Sequence, residues 1–418
     1  MCSKKCGCAC FSMVVLVAAA AIAAYFLVKP ITSYSDLEKC PYCYGNGMCT
    51  AFNTKDVRVS FLSLINILNY KNIYYGEYNN IDVIVKKLAS SDELRRFDDY
   101  VCYENRLDNG CDLGLIDDQQ NYTQKILDYM NGNINEFKPF KVCSKAAAEV
   151  LYDEFLKAKP DDVDNKSYLK NVWTTLKINV EPLILQLLNP DKNWPVPKYY
   201  GSCGRLAVIE NRGLTLYDKI KQPWIDRAYL SLQLLQGARN FTFDHPHLRF
   251  YLTDISADNI AVDDSLKLTF IDLENMVVLH EKIRKDSPKH KSEIIDDSSD
   301  FAPKHKSEII DDSSDFAYSQ EDLCTHSVSD HNYFAICKLL LSRNAPYPMA
   351  KNGLLHTPPV HVVYRYQRLF EQIEECSDAA RESSDRFKAA EEIMDILNEI
   401  LSESKGIETS NSNITRSL

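Results

Sequence analysis

The sequence predicts an α+β protein, with a sheet-bearing N-terminal part followed by a mostly helical C-terminal part. Three observations carry that expectation. Short β-branched and aromatic runs crowd the stretch from Val57 to Leu88, ending in IDVIVKKL. Beyond residue 145, long segments place apolar residues at helical spacing. Two short strand-like runs flank an Asp/Asn-rich turn between Asp254 and Asp272. Strands first and helices after is the α+β pattern. The chain has 418 residues, 45% of them apolar and 26% charged, enough for a sizeable core in more than one lobe. Its net charge of −11 repels phosphate backbones, so nucleic acid is not an expected partner.

The chain opens on a Cys-rich tail, residues 1–10, and then runs uncharged from Phe11 to Val28. A membrane span needs about 20 apolar residues, range roughly 17–25, and this run is just long enough. Lys4 and Lys5 precede it, whereas Asp36 and Glu38 follow soon after Lys29. The basic flank predicts an uncleaved signal anchor over 11–28, with the N-terminus cytosolic and the bulk lumenal. A cleaved signal peptide is the alternative. Cys2, Cys6, Cys8 and Cys10 are juxtamembrane palmitoylation candidates. The other cysteines, ten from Cys40 to Cys376, form an even set that reads as disulfides in an oxidising lumen. Local bridges within 40–49 and between Cys102 and Cys111 are expected. A zinc reading of CPYCYGNGMC would need a second paired ligand set, and none has suitable spacing. Sequons at Asn121, Asn165, Asn240 and Asn413 matter only in a lumenal chain.

Each further element follows from local pattern. SSDELRRFDDYVC reads as a helix capped by Ser91 or Asp92. Residues 145–159 and 168–188 read as two helices, WPVPKYYGSCG as punctuation and LAVIE (206–210) as a buried strand. PWIDRAYLSLQLLQGARN (223–240) is a long helix with proline at its start, where the missing N–H is harmless. Residues 329–343, 361–376 and 384–403 read as helices, and the polar tail 404–418 as disordered. PKHKSEIIDDSSDFA occurs at 288–302 and again at 303–317, inside an insert over 286–320. Two polar copies bury no common face, so this is a lengthened flexible loop and not a solenoid.

The chemistry concentrates in FYLTDISADNIAVDDSLKLTFIDLEN, residues 250–275. Asn259 follows Asp254 by five residues, and Asp272 follows Asn259 by thirteen at the end of a strand-like run. That is the spacing of a catalytic-loop Asp, a metal-binding Asn and a metal-binding Asp in the phosphoryl-transfer template. The chemistry needs these types: a carboxylate and an amide oxygen hold the metal on the phosphates, and a second carboxylate orients the attacking hydroxyl. Upstream, VIVK ends at Lys86, which shares a strand face with Ile84 and is expected to reach the nucleotide phosphates. Its glutamate partner is expected at Glu93, or at Glu149. The bland reading has turn polars at Asp254 and Asn259, a strand-end acid at Asp272 and a surface lysine at Lys86. The three-part spacing together with VIVK favours the functional one.

CPYCYGNGMC, VIVKKL, WPVPKYYGSCGR, LTDISADNIAV, FIDLEN, SDHNYFAICKLLLS and NGLLHTPP together resemble the divergent protein kinase domain 2 family, the deleted-in-autism protein group. The resemblance runs from Cys40 to the last helix. It implies a two-lobed protein-kinase-like fold, with a disulfide-rich N-lobe over 40–210 and a helical C-lobe over 211–403. It also implies disulfides and residence in the Golgi or secretion, while the Asp254, Asn259, Asp272 and Lys86 set points to ATP with Mg²⁺ or Mn²⁺. Asp330 would match the buried aspartate that holds the catalytic loop. Departures are plain: LTD stands for H-R-D, DLE for D-F-G, and only Gly76 precedes Lys86 where a glycine loop would cradle phosphate. The expected function is therefore an atypical secretory-pathway kinase acting on a lumenal or secreted protein. The alternative is a pseudokinase binding module, for instance a receptor ligand. Transfer of AMP from the same fold is a third reading.

Overall fold

The computed structural model describes residues 30–40, 43–60, 72–108, 111, 121–132, 140–161, 163–281, 320–346, 349 and 353–415, the last eleven as backbone only. The segment 11–28, the cysteines of the 1–10 tail and the duplicated repeat lie outside them. Among the described residues, no helix is long and apolar enough to cross a membrane. The chain divides into two compact units, 1–128 with 154–212, and 129–153 with 213–418.

The first unit is built on a five-stranded antiparallel sheet in the order β1 (Val57–Val59), β2 (Ile73–Tyr78), β3 (Ile81–Lys87), β6 (Leu206–Glu210), β5 (Tyr199–Cys203). The β2–β3 hairpin turns on Asn79 and Asn80, both at positive φ (51° and 64°). A two-residue turn matching strand twist needs that conformation, and asparagine tolerates it. Alternation along β3 buries Val83 and Val85 against Val57, Tyr74, Leu206 and Val208, which leaves Ile84 and Lys86 on the opposite face. Gly76 lies where a Cβ would meet the Arg58 carbonyl oxygen at 2.4 Å, so its absent side chain serves strand pairing.

Helix α1 (Ser91–Glu104) follows β3 directly. Its cap is Ser90, one residue before the expected pair, and Glu93 closes a capping box by accepting from the Ser90 N–H at 2.7 Å. The expected single helix over 168–188 is two: α3 (Asn165–Ile178) and α4 (Glu181–Leu187). Asn179 turns extended between them, its Oδ1 accepts from the Glu181 N–H at 2.9 Å, and Pro182 follows in the first turn of α4. An Asx turn and a proline start a helix more readily than they continue one. An ion network centred on a buried arginine ties α1 to the N-terminal segment, the end of β3 and the β5–β6 turn. Arg205, 2% exposed, pairs with Asp98 and Asp36, and these pair in turn with Lys39 and Lys87.

The second unit takes in 129–153, which the sequence had placed with the first sheet. The reason is β4 (Phe140–Val142), which pairs in parallel with β11 (Met276–His280) beside β8 (Leu248–Leu252). The Cys143–Cys324 disulfide fixes the same edge. Helix α2 (Lys145–Lys157) then leads back to the first unit. A second small sheet orders β10 (Leu268–Phe270), β9 (Ile260–Val262), β7 (Leu214–Thr215). The core helix α5 (Trp224–Phe243) carries Gly237 under the Phe270 ring, where a Cβ would lie 2.3 Å from a ring carbon. Helix α6 (His331–Ile336) passes into a π turn over Cys337–Leu341, and α7 (Gln367–Cys376) and α8 (Ser383–Thr415) close the unit. The backbone of α8 continues through Ser404, where disorder was expected; the stretch to Thr415 contains no proline to stop it.

All ten cysteines beyond residue 39 are paired: 40–43, 49–203, 102–111, 143–324 and 337–376. The two local bridges were expected from spacing, and the three long-range ones were not assignable from it.

Candidate nucleotide and metal site

In the first unit, the Lys86 ammonium meets the Glu181 carboxylate at 2.9 Å, with side-chain exposures of 14% and 2%. This corrects the expectation for the glutamate partner. Glu93 spends its carboxylate on its own helix cap. Glu149 lies on α2, exposed, beside Lys145 at 3.7 Å. Glu181 was missed because it lies 95 residues from Lys86. Its local signal was nevertheless present in N-V-E-P, the residues that start α4 and set an acid in its first turn.

In the second unit, a hairpin brings Asn259 and Asp272 together. Asn259 leads into β9, Asp263 organises the turn by accepting from the Ser265 and Lys267 N–H groups, and β10 returns. The Ile271 N–H then donates to the Asn259 carbonyl at 2.9 Å, which sets Asp272 beside Asn259. Asp272 itself sits at φ 63°, a left-handed conformation that costs a non-glycine residue energy and that recurs at functional sites. Asn259 Nδ2 donates to the Asp254 carbonyl at 3.0 Å, so Oδ1 is its ligating end. Asn275 Nδ2 donates to Asp254 Oδ2 at 3.1 Å. Asp254, Asn259, Asp272 and Asn275 line one small concavity of about 10 Å³, the room of one water or one ion.

Asn259 and Asp272 fit a divalent cation that arrives on phosphates. Among the described residues no group of three or more His, Cys, Asp or Glu is arranged to hold a metal alone. Mg²⁺ is commonly held by one or two carboxylates together with substrate phosphates, so two protein oxygens suffice.

The loop is anchored from behind, though not by the expected residue. Asn332 accepts from the Leu252 N–H at 3.0 Å and donates to the Phe250 carbonyl at 2.8 Å, while His331 Nε2 donates to the Leu252 carbonyl at 3.0 Å. Asp330, fully buried, instead pairs with Arg386 of α8. The grip on β8 thus passes to the next two residues of SDHN. Burial pushes the His331 imidazole down to about 4, against smaller opposing effects of the Leu252 carbonyl and Asp330. The unfolded value is about 6.5, so this histidine contributes stability that is complete above pH 6.5 and declines as pH falls toward 4. Between pH 7.5 and 5 the loss from this group is about 2 kcal/mol. Urea unfolding of wild type and His331→Gln at both pH values should show a shallower pH slope in the variant; parallel slopes would refute the assignment.

A five-stranded antiparallel sheet with a Lys–Glu pair, and a helical unit with an Asp/Asn/Asp hairpin, define a protein-kinase-like domain of divergent type. Residues 172–379 match the family model described as the protein-kinase domain of FAM69. Divergent protein kinase domain 2A of Homo sapiens is 29% identical over 389 residues, covering 87% of this chain and 87% of that protein. The Xenopus tropicalis 2A protein is 28% identical with the same coverage. Divergent protein kinase domain 2B of Mus musculus is 25% identical over 260 residues, 56% of this chain and 58% of that protein. The chain is thus similar over most of its length to the divergent protein kinase domain 2 proteins.

Proposed function

We propose that this protein is an atypical kinase-like protein of the secretory pathway that binds ATP with Mg²⁺ or Mn²⁺ and transfers phosphate to a lumenal or secreted protein. The observation that carries the reading is the closed hairpin that sets Asn259 and Asp272 side by side next to Asp254. A cation on these two oxygens supplies charge neutralisation for the phosphates. In the first unit, Lys86, paired with Glu181, is the ammonium that the template assigns to phosphate binding. Asp254 orients an acceptor hydroxyl and takes its proton.

A second reading is a pseudokinase acting as a binding module. It is favoured by Gly76, whose role is strand pairing, and by the absence of other glycines between Val57 and Lys86. ATP labelled at the γ- or the α-phosphate separates the readings. Metal-dependent γ-label on a secreted acceptor supports the kinase, and α-label supports AMP transfer. Label in neither, with nucleotide binding intact, supports the binding module.

The secretory assignment draws on the five disulfides and on Phe11–Val28 as a signal anchor. Asn121 and Asn165 are exposed sequons. Protein expressed in animal cells should therefore gain mobility on peptide N-glycosidase treatment. An unchanged band, together with free thiols, would contradict the compartment.

A further inference from the structure

We infer that Asn275 is a positioning residue, whose side-chain amide fixes the Asp254 carboxylate so that one oxygen is presented to the acceptor hydroxyl. The inference rests on the kinase-like reading above. The ladder that pairs Met276 with Leu252 extends one step further, where the Thr253 N–H donates to the Asn275 carbonyl at 3.2 Å. This register sets Asn275 beside Asp254. Its Nδ2 then donates to Asp254 Oδ2 at 3.1 Å, while Asn259 Nδ2 holds the Asp254 carbonyl at 3.0 Å. Two amides, from two loops, thus clamp the backbone and the carboxylate of one exposed residue. Asp254 Oδ1 accepts no hydrogen bond from the described residues and is the oxygen left for substrate.

The residue type matters. An amide donates to the ionised carboxylate without cancelling its charge, whereas a lysine would neutralise the base and a second carboxylate would repel it. In the transfer step, the acceptor oxygen bonds to the γ-phosphorus and the bond from that phosphorus to the β–γ bridging oxygen breaks. ADP leaves with the electron pair, and the hydroxyl proton passes to Asp254 Oδ1. Without the clamp an exposed aspartate samples several rotamers, and only some of them face the hydroxyl.

The test uses the full-length, disulfide-bonded protein as wild type, Asn275→Ala and Asn275→Asp. Melting temperature, Mn²⁺–ATP affinity and steady-state ADP release are measured on each. The inference predicts that both variants fold and keep nucleotide affinity and KM within about two-fold. Their kcat should fall by about ten- to a hundred-fold, part of what a general base contributes. Asn275→Asp keeps the shape but loses the donor, so it should fall at least as far as Asn275→Ala. A merely structural asparagine would tolerate the near-isosteric aspartate and would shift KM and melting together. Unchanged kcat in either variant, or a wild type that binds Mn²⁺–ATP but releases no ADP, overturns the inference and leaves nucleotide binding standing. A wild type that binds no nucleotide overturns the kinase-like reading itself, and the inference with it.

Discussion

Replacing Cys49 and Cys203 together with serine is expected to cost about 5 kcal/mol of stability by loop-closure entropy. The bridge spans 154 residues, and Cys203 sits in the core of the five-stranded sheet. Such a loss is comparable to the whole stability of a marginal domain. The local bridge Cys40–Cys43 spans three residues, so its removal should cost only about 2 kcal/mol on the same model. Denaturant midpoints of the two double-serine variants, measured without reductant, should therefore differ widely. Equal losses would mean that native packing, and not the closed loop, governs both. The bridge forms where it does because the Met48 N–H donates to the Ser202 carbonyl at 2.9 Å, which lays the segment before Cys49 along β5.

Arg386→Leu is expected to destabilise the second unit by about 3–5 kcal/mol, because it strands the Asp330 carboxylate at 0% exposure without its cation. Arg386 also donates to the Asp378 carbonyl at 3.0 Å and the Arg381 carbonyl at 2.6 Å, so it pins the start of α8 as well. Adding Asp330→Leu to Arg386→Leu should restore much of the loss, since an apolar pair of similar volume often replaces a buried ion pair without penalty. Additive losses in this double-mutant cycle would show that the two residues act separately.

The parts of the site legible in the sequence are those set by local geometry. Asn259 and Asp272 are thirteen residues apart because two three-residue strands and one tight turn fit between them, closed by the Ile271 N–H to Asn259 carbonyl bond. The placement of Lys86 opposite the core was legible because β3 alternates through its middle, with Val83 and Val85 in the core. Glu181 was not, because pairing across 95 residues leaves no spacing to read. The break at Asn179 was a readable sign that the apolar run held two helices. Asp330 was recognised as buried, but the hydrogen bonds that grip Leu252 come from His331 and Asn332. Burial is written in composition, whereas the choice of partner is made by packing. The parallel pairing of β4 with β11 joins residues more than 130 apart, which is why 129–153 was assigned to the wrong unit.

The most direct measurement is a thermal-shift titration of the full-length protein with ATP and Mg²⁺ or Mn²⁺, beside Lys86→Ala, Glu181→Gln and Asp272→Ala. At a hundred times its Kd, a ligand stabilises the native state by about 2.7 kcal/mol, a rise of several degrees. A metal-dependent rise in wild type, absent in Lys86→Ala and Asp272→Ala and weakened in Glu181→Gln, is the predicted result. No rise at saturating nucleotide in a folded protein, or a rise that survives the substitutions, would contradict the site.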